Sequence, residues 1–99
     1  MVPHHRRNHT LKNSTMHVIN VNEKFKLFND TWSPKIIADL NGQDIKLAKV
    51  KGEFVWHNHE HEDELFFVIK GTLKIAFVDK TVELNAGELI IVPKGVEHK

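Results

Sequence analysis

Three histidines stand at alternate positions, His57, His59 and His61, and Glu64 follows shortly after. In an extended segment alternate side chains point to one face, so His57 and His59 are presented together. The polar stretch Glu60–Asp63 reads as a loop. If it folds the chain back, the Glu64 carboxylate returns beside the two imidazoles. Two neutral imidazoles and one carboxylate suit a divalent transition metal. His98 lies past a Pro93-x-Gly95 turn and is available to complete the set. Ligand type alone leaves Fe, Mn, Ni, Co and Zn all eligible, because imidazole suits most of them and occupancy follows availability. His61 reads as a solvated loop histidine rather than a ligand, and Glu60, Glu62 and Asp63 as solvated carboxylates.

The elements that must position these residues follow a period of two. Lys35 to Leu40 reads as a strand, and Asn41-Gly42 as a tight hairpin turn, since both residues tolerate positive φ. Asp44 to Val50 alternates, Lys51-Gly52 breaks the pattern, and Phe54 to His59 is again extended, with Phe54 and Trp56 expected in the core. Leu65 to Ile69 is apolar on both faces. Such a short run is a strand buried on both sides, or one with a face turned to a second sheet or subunit. Leu73 to Phe77, Thr81 to Leu84 and Leu89 to Val92 read as three further strands. Upstream the signal is weaker. Val18, Ile19 and Val21 suggest a short strand, and Asn22 a cap for a helical turn from Glu23 to Phe28. About eight short, closely spaced strands without a long helix predict an all-β sandwich or barrel.

The chain has 99 residues and no cysteine. That length suits one domain. The absence of cysteine excludes a disulfide framework, a thiolate nucleophile and Cys-ligated zinc. With 14 Lys+Arg against 13 Asp+Glu, interspersed, the chain carries no electrostatic footprint for nucleic acid. Its apolar runs are too short for a membrane helix, and the expectation is a cytoplasmic protein with no membrane partner. Met1 to Thr15 is polar and reads as disordered or as an extension, with the single domain spanning 16–99.

The spacing also resembles a known family. The first stretch reads Gly52-x4-His57-x-His59-x4-Glu64-x6-Gly71, and the second Gly87-x5-Pro93-x-Gly95-x2-His98. Fifteen residues, Thr72 to Ala86, separate them. This is similar to the paired motifs of the cupin superfamily, in particular the small single-domain, cupin 2-type proteins labelled mannose-6-phosphate-isomerase-like. The resemblance runs from Gly52 to the last residue. It departs from the family pattern in one residue fewer before His57, and in having no counterpart of the asparagine beyond the last histidine.

The resemblance implies a double-stranded β-helix (jelly-roll) barrel, here expected to lack its last strands. It also implies one divalent metal held by His57, His59, Glu64 and His98. His98, one residue from the chain end, is expected to be more mobile than the other three. Cupins of this kind include dioxygenases, sugar isomerases and decarboxylases, so metal-dependent oxygenase- or isomerase-type chemistry on a small molecule is one expectation. A non-catalytic module that binds a small molecule or metal is the other. An apolar strand face left over by the barrel is expected to be covered in a homodimer.

Overall fold

The computed structural model of the chain describes residues 16–53 and 61–99. Residues 1–15 and the segment carrying Phe54, Trp56, His57 and His59 lie outside the described residues. Contacts divide the chain into two compact units, Met1–Gly52 and Glu53–Lys99. Among the described residues there are six strands and one short helix, and no helix is long and apolar enough to cross a membrane.

In the first unit, helix α1 spans Val21–Phe25. Its cap is Asn20, whose side-chain oxygen accepts the Glu23 N–H at 3.0 Å. The sequence reading placed the cap at Asn22 and a strand over Val18–Val21. Asn20 takes the role because its own backbone is extended (φ −91°, ψ 108°) where the helix begins, which is what a capping side chain requires. Strands β1 (Lys35–Leu40) and β2 (Gln43–Leu47) form an antiparallel hairpin. It turns on Asn41-Gly42, whose φ values of 52° and 80° are those of a type I′ turn.

The pairing slips between Ile36 and Ala38, so β1 carries a bulge. The extra residue breaks the inside–outside alternation and lets Ile36 and Ile37 both be buried. Phe28, Ile37 and Leu47 form the core here, with Ile19, Val21 and Phe25 packed on it. Lys35 is buried at 8% exposure, its Nζ held 2.8 Å from Asp30 Oδ2 and 5.6 Å above the Phe28 ring.

In the second unit, β3 (Glu64–Phe67) pairs antiparallel with β6 (Leu89–Val92), and β4 (Thr72–Ala76) with β5 (Thr81–Asn85). The β4–β5 hairpin closes through Phe77 N–H donating to the Lys80 carbonyl at 2.7 Å. The β3–β6 pairing continues past the strands, with Val68 N–H to the Glu88 carbonyl and Gly87 N–H to the Val68 carbonyl. Cross-strand neighbours Leu73 with Leu84 and Ile75 with Val82 turn the same way and meet Phe66, Val68 and Ile90 from the other pair. Val68, Ile75 and Leu84 are the buried centre of this cluster, and burying each contributes about 1.5–3 kcal/mol.

The Lys35 ammonium, hydrogen-bonded to Asp30, holds the Asp30 carboxyl below the usual carboxylate range. A carboxyl whose folded pKa is depressed adds stability above its unfolded value, and loses it as pH falls through the folded one. The melting temperature of Asp30→Asn is therefore expected to lie below that of wild type near neutral pH, with the gap closing as pH falls through the lowered folded value. Melting curves of both proteins across that range check this.

Candidate metal centre

His98 is 2% exposed. Several contacts among the described residues hold it. Its Nδ1 lies 2.9 Å from the Val96 carbonyl oxygen. A carbonyl only accepts, so Nδ1 carries the proton and donates it, which turns Nε2 into the protein. The backbone after it is tied by two bonds between Ala76 and Lys99, 2.9 and 3.1 Å long. The ring lies edge-on to Phe66, with centroids 5.8 Å apart, and tilted to Phe77 at 6.3 Å. A non-local pair with Ala76 of β4 thus ties the backbone next to His98.

Glu64 is the first residue of β3 and stands opposite Val92 in the ladder. Alternation along β3 then puts Glu64 and Phe66 on the inner face with Val92 and Ile90. Leu65 and Phe67 go to the outer face with Ile91 and Leu89. The Glu64 side chain keeps 29% exposure and reaches His98 Nε2 with Oε1 at 3.1 Å. Two residues far apart in sequence are thus joined by the β3–β6 pairing and the turn after β6.

This pair fits a divalent ion on its chemistry. The nitrogen facing Glu64 is the one that Val96 leaves without a proton, so its lone pair and the carboxylate converge on one place. A divalent ion bound there would compete with a proton for that same place. Among the described residues no three His, Cys, Asp or Glu side chains gather to hold a metal. His57 and His59 lie outside the described residues, so of the four expected ligands the structure describes Glu64 and His98 and brings those two together. His61 is exposed.

Sequence reasoning missed one residue of this region. Asp63, read as a solvated carboxylate, is exposed as expected, and it also accepts the backbone N–H of Lys94 at 3.0 Å. Its position next to Glu64 was the only signal, and acidity alone did not show which group it meets. A cavity of about 390 Å³ in the same unit is lined by Phe77, Lys80, Ile90, Ile91, Val96 and Glu97 among others, and neither Glu64 nor His98 lines it.

Comparison with known proteins places the chain. Residues 44–99 match the Cupin domain family. A cupin-2 domain containing protein of Shewanella frigidimarina NCIMB 400, known from its crystal structure, is 58% identical with a TM-score of 0.81, over 82% of this chain and 79% of that one. The crystal structure of protein NMB1881 from Neisseria meningitidis is 30% identical with a TM-score of 0.76, over 83% of this chain and 84% of that one. The Bacillus subtilis (strain 168) protein YdbB is 42% identical over 64 residues, which are 64% of this chain; the chain spans 57% of that protein's length. The strand ladders, the glycine turns at Gly71, Gly87 and Gly95 and these matches agree: the chain belongs to the cupin family, with an all-β jelly-roll fold.

Proposed function

We propose that this cupin binds one divalent transition metal through His57, His59, Glu64 and His98 and presents it to a small molecule. The observation that carries the reading is the 3.1 Å contact between Glu64 and a buried His98, one residue from each of the two motifs. When bound, such an ion supplies Lewis acidity toward an oxygen-bearing molecule. The chain's own part is to aim Nε2 of His98, through the Val96 bond, and to wall the place with Phe66 and Phe77. Oxygenase- or isomerase-type turnover and capture without turnover share this arrangement. Product formation from candidate small molecules by the metal-loaded protein distinguishes them.

The outer face of β3–β6 supports a homodimer. Leu65, Phe67, Leu89 and Ile91 are 52–59% exposed and stand as two directly opposed pairs, Leu65 with Ile91 and Phe67 with Leu89. Together they offer roughly 400 Å² of apolar surface, within the range of patches that mark interaction sites. A standard interface of about 800 Å² per partner contains some 450–500 Å² of apolar area, so a second copy of this face matches the need.

Metal analysis of purified variants at neutral to mildly alkaline pH tests the ligand set. His57→Ala and His59→Ala are expected to abolish stoichiometric metal, Glu64→Ala and His98→Ala to weaken binding at least tenfold, and His61→Ala to change nothing. His98→Ala also removes a buried ring, so a lower melting temperature accompanies it. Loss of metal in His61→Ala, or full metal in His98→Ala, contradicts the assignment.

Light scattering after size exclusion tests the dimer. Wild type is expected at twice the chain mass. Phe67→Lys, on the outer face, is expected at the monomer mass with unchanged circular dichroism. A monomeric wild type contradicts the proposal.

A further inference from the structure

The β3–β6 ladder ends at the pair Glu64 with Val92. Its next residue on β6 is Pro93, which has no N–H and cannot continue it. The chain instead turns: Val96 N–H donates to the Pro93 carbonyl at 3.3 Å, and Gly95 at φ +82° takes the third position, where only a residue at ease with positive φ fits. In such a turn the N–H of the second residue, Lys94, points away from the turn's own bond. The Asp63 carboxylate accepts that N–H at 3.0 Å, supplying with a side chain the acceptor that the interrupted ladder lacks.

The same turn delivers Val96, whose carbonyl fixes the His98 ring, and then His98 itself. Asp63 and Glu64 are consecutive. One meets the start of the 93–98 segment and the other its end.

We infer that Asp63 is the positioning residue of the Glu64–His98 pair: by clamping the Lys94 N–H it sets the turn that aims His98 Nε2 at Glu64. As a statement about metal affinity it rests on the function proposed above; as a statement about His98 placement it does not. The geometry asks only for an acceptor at the right reach, so charge is incidental. Asparagine keeps that acceptor, alanine removes it, and glutamate keeps the charge but carries its oxygens one methylene too far.

The experiment uses the full chain and its Asp63→Ala, Asp63→Asn and Asp63→Glu variants, with Co²⁺ as the metal probe. It reads the hydrogen exchange of the Lys94 amide and the His98 ring nitrogen resonances in the metal-free protein, and then the Co²⁺ dissociation constant. Asp63→Ala and Asp63→Glu are expected to lose Lys94 protection, to shift the His98 ring resonances and to bind Co²⁺ about tenfold more weakly. Asp63→Asn is expected to match wild type in all three. His98 resonances unmoved in Asp63→Ala overturn the inference, and so does an Asp63→Asn variant as impaired as Asp63→Ala. If Asp63→Ala fails to fold, the contrast between Asp63→Asn and Asp63→Glu decides the matter. A wild-type protein that takes no Co²⁺, while its His98 resonances still follow this series, removes the metal reading and leaves the positioning role standing.

Discussion

A buried imidazole facing a half-buried carboxylate is the constraint around which the second unit is arranged. His98 is 3% exposed at its side chain and Glu64 29%. Taking such groups out of water is unfavourable unless each finds a partner, and breaking a fully buried pair costs about 3–5 kcal/mol. Glu64 keeps part of its carboxylate in solvent, so the penalty here is smaller, but its direction is the same. Both ring nitrogens of His98 have partners, Val96 on one side and Glu64 on the other. No buried side-chain polar atom among the described residues lacks a hydrogen-bond partner.

That contact draws on every level below it. The β3–β6 register sets which face Glu64 takes, and a slip of one residue would send it outward with Leu65. Pro93 stops the ladder, Gly95 permits the turn, and the Ala76–Lys99 bonds fasten the end. Phe66 and Phe77 then close around the ring and join it to the cluster of Val68, Ile75 and Leu84. The apolar core and the polar pair are one assembly, so a change at His98 is expected to lower stability.

Much of this was legible in the sequence where the determinant was local. Asn41-Gly42 specified its own turn, and Leu89–Val92 its own strand. Alternation separated Phe66 and Val68 from Leu65 and Phe67. What was not legible depends on distant partners or on small differences between equivalent residues. Asn20 and Asn22 are equally good caps by type, and only backbone geometry selects Asn20. The bulge at Ile37 has no marker such as glycine to announce it. The burial of His98 goes with the pairing of its neighbour Lys99 to Ala76, and the role of Asp63 with an N–H that Pro93 leaves outside the ladder. For the site, the motif spacing made Glu64 and His98 candidates for one place, and the structure sets them 3.1 Å apart, while the tautomer that Val96 imposes could not be read from residue types.

The central claim is that one ion collects imidazoles and a carboxylate from two motifs. X-ray absorption at the edge of a metal loaded into the full chain measures that shell directly. The account predicts three nitrogens with the multiple-scattering pattern of imidazole and at least one protein carboxylate oxygen, at about 2.0–2.2 Å. A shell of oxygen alone, without imidazole scattering, would contradict it.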